Sequence, residues 1–223
     1  VGISPCVGIR MAEFAFEPAK LQRPDVEFIY RECNLLELCE LMKRAQIDII
    51  LASLDLRTQS LPDCMVHRIY TEPLLFIPRK KERSRWMHAN HVTVAEISDD
   101  SFVMVPNSCG LAQVTKRLFA DNGIELKRYP GEASSYAAIR EWAEIGLGSG
   151  ILPASKVSVS TAELAIPIIH NGESAKIEYY AMGKPNAIPS AIFSELWETL
   201  QIKSVPAANN HEPAQASAYD WCL

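Results

Sequence analysis

Residues 102–111 read Phe-Val-Met-Val-Pro-Asn-Ser-Cys-Gly-Leu. An apolar run is followed there, within a few positions, by the start of a predicted helix. The run 102–105 is predicted as a buried strand, because consecutive apolar residues end there at a proline. Ser108 is predicted to cap the helix that follows, and Gly123 to end it in a left-handed conformation. The apolar positions of this helix recur at intervals of three and four residues, at Leu111, Val114, Leu118 and Phe119. Such a strand, loop and helix unit leaves unpaired backbone amides at its loop.

Strand and helix patterns also alternate upstream of this unit. A helix is predicted from Pro5 to Leu21, with Pro5 at the first helical position. Asn34 followed by Glu37 is typical of a capped helix start, with Leu35, Leu38, Leu41 and Met42 on the buried face. Strands are predicted over 26–30, 47–52 and 64–77.

The same alternation continues downstream. A strand is predicted over 126–129, followed by a helix over 136–145 that Ser134 or Ser135 caps and Gly146 ends. Asn171-Gly172 predicts a tight turn, and the last helix is predicted over 189–200. Alternating strands and helices indicate the α/β class, with a parallel sheet covered by helices.

Composition excludes several kinds of partner. The chain has 223 residues, with 22 Lys and Arg against 27 Asp and Glu, which gives a formal net charge of −5. This balance is opposite to the broad positive surface that nucleic acid or anionic lipid requires, so the basic stretch 79–85 is interpreted as a solvated connection. The apolar runs are too short to cross a bilayer and no secretion signal is recognisable, so we expect a cytoplasmic protein with no membrane partner.

The cysteines favour free thiols over disulfides or a metal site. They stand at positions 6, 33, 39, 64, 109 and 222, without a Cys-x-x-Cys pair. His88 and His91 are close in sequence but have no cysteine or carboxylate at ligand spacing. The sequence therefore predicts neither a metal site nor a cofactor.

Six segments, in this order, resemble the effector-binding domain of LysR-type transcription regulators, and the resemblance covers residues 1–200. They are Val-Gly-Ile-Ser-Pro at 1–5, Arg-Pro-Asp-Val-Glu at 23–27, Ile-Asp-Ile-Ile-Leu-Ala at 47–52, Tyr-Thr-Glu-Pro-Leu-Leu-Phe-Ile-Pro at 70–78, Val-Pro-Asn-Ser-Cys-Gly-Leu at 105–111, and Gly-Leu-Gly-Ser-Gly-Ile-Leu-Pro at 146–153.

This resemblance implies two Rossmann-like α/β lobes joined by two crossover strands, as in type 2 periplasmic binding proteins. Residues 1–77 and 167–200 are expected to form the first lobe, residues 78–166 the second, and residues 201–223 a C-terminal tail. Pro78 and Pro167 would lie near the crossings, where stiff extended backbone suits a hinge. The family's winged helix-turn-helix is expected on a segment that this sequence does not include.

In such a fold the strand-to-helix loops of both lobes face one crevice, where helix N-termini favour an anion. Effector contacts are expected from four loops: Ser4, Pro5 and Cys6; Asn34; Asn107, Ser108 and Cys109; and Ser134, Ser135 and Tyr136. Each serine or asparagine could instead only cap its own helix, as such residues do in many proteins. Their convergence on one crevice favours a small-molecule effector that is a carboxylate or another anion.

The resemblance makes Ser4, Asn34 and Ser108 the best candidates for these contacts. Cys6 and Cys109 would lie in first helical turns, where the helix dipole lowers the pKa of a thiol. One branch of the family senses peroxide through a cysteine near the second of these positions. Here no partner cysteine follows within that helix, so a place in the cleft wall is favoured over redox sensing.

The sequence thus predicts a ligand-sensing domain of a LysR-type regulator. Effector binding would change the angle between the lobes and, through a homodimer or homotetramer, the placement of DNA-binding domains. No histidine in the cleft loops could serve as a base, so no enzyme activity is predicted. The alternatives are a solute-binding protein of the same fold, a cysteine-based redox sensor, and an enzyme on this scaffold.

Overall fold

The structure, a computed structural model, describes residues 1–54, 56, 64–106, 110–157, 164–184 and 190–202. The first part of the chain forms β1 (Gly2–Ile3), α1 (Gly8–Gln22), β2 (Arg31–Glu32), α2 (Leu35–Lys43), β3 (Ile49–Ser53) and β4 (Met65–Ile77). The middle part forms α3 (Arg83–Trp86), β5 (Val92–Thr93), β6 (Phe102–Met104), α4 (Gly110–Asp121), β7 (Arg128–Glu132), α5 (Tyr136–Ile145) and β8 (Gly150–Pro153). The last part forms β9 (Ile166–His170), β10 (Glu173–Ser174), β11 (Lys176–Gly183) and α6 (Ser190–Ile202).

The strands confirm the α/β class and the two-lobed architecture. The main sheet has the order β10-β9-β4-β11-β3-β1-β2, with β5 beside β9 and β8 beside β4. Around β1 the strands are parallel, and β11 is antiparallel to both β3 and β4. β6 and β7 form a separate parallel pair.

The long strand β4 belongs to both lobes. Its residues 65–73 pair with β11, and its residues 74–77 pair with β8. The return crossing is at Ala175, whose carbonyl accepts from the amide of Leu74 at 2.8 Å and whose amide donates to the carbonyl of Ile168 at 2.7 Å. The partner of β4 thus changes from β11 to β8 at 73–74, and the chain returns to β11 after Ala175, while the division of the lobes at 77–78 and 166–167 stays a prediction. The first lobe is defined from here as β1–β3, β11, α1, α2, α6 and residues 65–73; the second comprises the elements between Leu74 and Ala175.

Apolar packing covers both faces of the first-lobe sheet. The predicted buried face of α2, Leu35, Leu38, Leu41 and Met42, is confirmed and packs on one side of β3 and β11. On the other side, a larger cluster begins under α1 and continues through Phe76 into the second lobe. This cluster includes Phe102 and Phe119, whose ring centroids are 5.1 Å apart.

Several predicted element boundaries are confirmed and others move. The helix over 136–145 is confirmed, and Gly146 ends it with a φ of 90°. The predicted turn places both Asn171 and Gly172 in the left-handed region, with φ of 52° and 81°. The predicted strand over 26–30 is wrong: its residues lie outside the strand ladders, although the carbonyl of Ile29 accepts from the Val1 amine at 2.7 Å, and β2 begins at Arg31. The strand predicted over 126–129 lies at 128–132.

Among the helices that the structure describes, none is both long enough and apolar enough to cross a membrane.

Candidate functional site

The turn at Ser4, Pro5 and Cys6 joins β1 to α1 at the carboxyl edge of the first-lobe sheet. The amide of Ser4 donates to Leu51 of β3 at 2.9 Å, and the Ser4 carbonyl accepts from Val7 at 3.0 Å. Oγ of Ser4 lies 3.1 Å from Sγ of Cys6, and both side chains are buried while Pro5 is exposed. The helix therefore begins at Gly8, and the prediction that Pro5 is its first residue is wrong.

Asn34 acts as the N-cap of α2, as its spacing to Glu37 predicts. Its Oδ1 accepts a hydrogen bond from the amide of Glu37 at 3.0 Å, and the residue is exposed. Within the described residues, no hydrogen bond joins Asn34 to Ser4 or Cys6. Instead it borders a shallow depression of about 590 Å³ on the outside of the first lobe, which Arg31, Leu36, Glu40 and Arg44 also line. The structure thus places Asn34 in a capping role at the outer edge of the sheet.

In the second lobe, the predicted loops are described only in part. Ser135 caps α5, since its Oγ accepts from the amide of Ala138 at 3.1 Å, and Ser134 is exposed beside it. Tyr136, the first residue of α5, is half-buried. Asn107, Ser108 and Cys109 lie outside the described residues.

The start of α4 nevertheless reaches the first lobe. A Cβ added to Gly110 would lie 2.7 Å from the carbonyl oxygen of Ser53 and 2.8 Å from its Cβ. Only a glycine permits this approach, because a side chain would collide with the backbone at the end of β3. The first turn of α4 and the carboxyl edge of the first-lobe sheet are therefore in contact.

The buried carboxylate of Glu72, which sequence reasoning missed, joins the two lobes at the crossover. It accepts from the amide and the hydroxyl of Ser155, at 2.7 and 2.9 Å, and from the hydroxyl of Tyr179 at 2.5 Å. Burial, followed by the negative charge of Glu72, raises the pKa of Tyr179 well above its ordinary value, so its hydroxyl remains a donor.

Lys156 is a second residue that the sequence did not single out. Its Nζ is 3.0 Å from the point where a Cβ of Gly8 would lie, although Lys156 belongs to the second lobe and Gly8 to the first. The same Nζ is 5.8 Å from the ring centroid of Tyr136. The starts of α1 and α5 therefore meet at one lysine.

The two prolines expected at the hinge lie close to 73–74 and 175. Pro78 is buried directly after β4, and Pro167 pairs with Leu75 within β9. The hinge role of Pro78 and Pro167 stays a proposal.

Comparisons with known proteins identify the architecture. The sequence model of the LysR substrate binding domain matches residues 1–203. A search of curated proteins by sequence found no significant match. Among solved structures, a reduced form of OxyR from N. meningitidis is 15% identical over 91% of this chain and 93% of its own, with a TM-score of 0.71.

Two further structures extend this comparison. The Synechocystis PCC6803 CcmR regulatory domain in complex with 2-PG is 16% identical over 96% of this chain and 97% of its own, with a TM-score of 0.71. Full-length CbnR complexed with its target DNA is 13% identical over 91% of this chain and 69% of its own, with a TM-score of 0.74. At these identities the similarity concerns the fold.

Proposed function

Because this chain belongs to the family of LysR substrate-binding domains, the effector-binding domains of LysR-type transcription regulators, we propose that it binds a small anionic effector between its two lobes. The observation that carries the proposal is that a helix start of each lobe lies against a residue of the other lobe. Gly110 of α4 packs against Ser53 of the first lobe, and Gly8 of α1 lies against Lys156 of the second. Helix N-termini carry partial positive charge and free amide donors, which favour a carboxylate or another anion.

The contacts between the lobes also couple effector binding to the angle between the lobes. The lobes are joined at 73–74 and 175, and Glu72 bonds to both sides of this crossover. A ligand that touches both helix starts would favour one angle between the lobes over others. We propose that a homodimer or homotetramer transmits this angle to DNA-binding domains. Among proteins of the same fold, full-length CbnR was solved with its target DNA and the CcmR regulatory domain with 2-PG, which supports a role in effector and DNA binding.

Effector binding can be tested with a thermal-shift screen of small carboxylates. A carboxylate that binds the cleft should stabilise the wild type and lose at least about tenfold in affinity in Ser4→Ala and Ser108→Ala, because each removes a hydrogen bond to a charged group. Ser84→Ala is the matched control, since Ser84 is exposed on α3. A ligand that stabilises all four proteins equally would show that the cleft assignment is wrong.

Three of the four described cysteines do not favour redox sensing as a second function. Cys6 is fully buried, and burial raises the pKa of both Cys33 and Cys39, which keeps them as thiols. The redox hypothesis therefore depends on Cys64, which is half-buried, and on Cys109 and Cys222, outside the described residues. Reaction of the wild type with one equivalent of peroxide, followed by mass spectrometry, would locate any oxidised cysteine.

A further inference from the structure

Lys156 occupies a fixed position beside the crossover. It ends a short 3-10 turn, Ala154–Lys156, that directly follows β8. The preceding residue, Ser155, is held by two hydrogen bonds to Glu72, and the amide of Val157 donates to the carbonyl of Ala154 at 3.1 Å. The backbone on both sides of Lys156 is thus anchored, so that its side chain starts from a defined point.

The ammonium group of Lys156 lies between the first residues of two helices from different lobes. Nζ stands 3.0 Å from the Cβ position of Gly8 and 5.8 Å from the ring of Tyr136. Gly8 has a φ of 73° and no side chain, which both permits the backbone turn into α1 and leaves room for the lysine. These two distances place one positive charge at the start of α1 and near the start of α5.

The charges around this lysine are unbalanced. Neither α1 nor α5 has an acidic residue in its first turn, and α1 has no side-chain cap. The ring of Tyr136 attracts the ammonium, but the N-terminal ends of both helices are partially positive, so an accompanying anion would stabilise this cation further. Among the described residues, no carboxylate lies within ion-pair distance of Lys156. Glu72 is close in the fold, but its oxygens already accept three hydrogen bonds from Ser155 and Tyr179.

A second observation concerns Ser53, on the same edge of the first lobe, whose hydroxyl lacks an acceptor among the described residues. Ser53 is 1% exposed, and its Oγ has no hydrogen-bond partner in the described part of the chain. Ser53 ends β3, which pairs with β1 just before the turn at Ser4, and it contacts the start of α4 at Gly110. A buried hydroxyl without a partner is costly, and a bound ligand oxygen would remove that cost.

We propose that Lys156 selects an anionic effector, its ammonium binding carboxylate, sulfate or phosphate oxygens together with the first-turn amides of α1. The buried hydroxyl of Ser53 offers a further donor on the same edge. This inference rests on the proposed function, since it assigns the charge selectivity of that interlobe site to one residue. A lysine acts here as a point charge on a flexible stem, which suits anions of several shapes.

Inorganic sulfate at constant ionic strength, with chloride as the replaced anion, is the probe that tests this inference. Wild-type protein should bind sulfate saturably in isothermal titration, and Lys156→Met and Lys156→Gln should each raise the apparent Kd at least about tenfold. Lys156→Arg should stay within about threefold of the wild type, because the charge is kept. Lys81→Met removes an exposed charge elsewhere in the second lobe and should leave the Kd unchanged.

Two results would overturn the assignment: sulfate binding by Lys156→Met and Lys156→Gln that equals the wild type, or no saturable sulfate binding by the wild type. Thermal unfolding without sulfate establishes that each variant is folded. If Lys156→Met does not fold, Lys156→Gln provides the test. Failure of this inference is distinguishable from failure of the proposed function. A carboxylate that loses affinity in Ser4→Ala but binds Lys156→Met as tightly as the wild type would leave cleft binding intact and remove the role of Lys156.

Discussion

Two buried carboxylates, Glu72 in the crossover strand and Asp100 in the second lobe, have very different surroundings. Glu72 is 3% exposed and accepts three hydrogen bonds, from Ser155 twice and from Tyr179. Asp100 is 5% exposed, with Nε of Arg79 at 3.5 Å, and its Oδ2 has no partner among the described residues. The two carboxylates are therefore about equally buried, but the hydrogen bonding of Glu72 is complete and that of Asp100 is incomplete.

Glu72 therefore has a structural role, whereas the burial of Asp100 has an electrostatic cost. The partners of Glu72 come from both lobes, so its hydrogen bonds hold the crossover together. Asp100 has its cation within the second lobe, and burial raises its pKa despite the opposing effect of Arg79. A buried carboxylate stabilises this fold only where donors surround it, which four substitutions can test.

Glu72→Ala should have the largest effect, a loss of about 3 kcal/mol in the free energy of unfolding. The substitution leaves the buried Tyr179 hydroxyl and the Ser155 amide without their acceptor. Urea unfolding measures the loss. Glu32→Ala, an exposed glutamate on β2, should stay within about 0.5 kcal/mol of the wild type. Equal losses in the two variants would show that Glu72 does not hold the lobes together.

Tyr179→Phe should cost less, about 1–2 kcal/mol, because Glu72 keeps both hydrogen bonds from Ser155. The ring can stay in place against Tyr70, at a centroid distance of 6.0 Å. A double-mutant cycle with Glu72→Gln, measured by urea unfolding, should give a coupling energy above about 0.5 kcal/mol. Additive losses would mean that this hydroxyl and carboxylate act independently.

Local sequence patterns predict the starts of α2 and α5 well, although not that of α1. Asn34 and Ser135 cap their helices through an amide three residues ahead, so every participant is within four positions. The strand predicted over 26–30 fails for the opposite reason, since pairing needs a partner strand that local sequence does not show. There Phe28 packs on Phe16 of α1, at a centroid distance of 5.2 Å, without joining the sheet.

The contacts between the lobes could not be predicted in the same way. Glu72 meets Ser155 and Tyr179 across 83 and 107 positions of sequence. One signal was present: Glu72 is in phase with Leu74 and Phe76, so strand alternation points it toward the buried face. Lys156 carries no such signal, because the approach to Gly8 exists only once the two lobes have folded together.

Ser155→Ala should cost about 1 kcal/mol, less than Tyr179→Phe, since the amide of Ser155 still donates to Glu72. Urea unfolding of Ser155→Ala measures the loss. Ser84→Ala is its control, since Ser84 is exposed in the same lobe, and the difference between the two variants gives the contribution of the Ser155 hydroxyl. A loss as large as that of Glu72→Ala would show that the hydroxyl, rather than the amide, carries the contact between the lobes.

Asp100→Asn should have the smallest effect, within about 1 kcal/mol of the wild type at neutral pH, but a distinctive pH dependence. The raised pKa of Asp100 means that the folded state keeps its proton to a higher pH than the unfolded chain. Wild-type stability should therefore fall as the pH rises from the ordinary value of 3.8 through the folded-state pKa, and this fall should be absent in Asp100→Asn. Asp99, its neighbour, is the control of opposite sign. The hydrogen bond from Lys127 lowers the pKa of Asp99, so the stability that Asp99 contributes is lost as the pH falls, and Asp99→Asn should remove this loss. Urea unfolding of the three proteins across this range decides the matter: parallel pH profiles for wild type and Asp100→Asn would mean that incomplete hydrogen bonding has no electrostatic cost at this carboxylate.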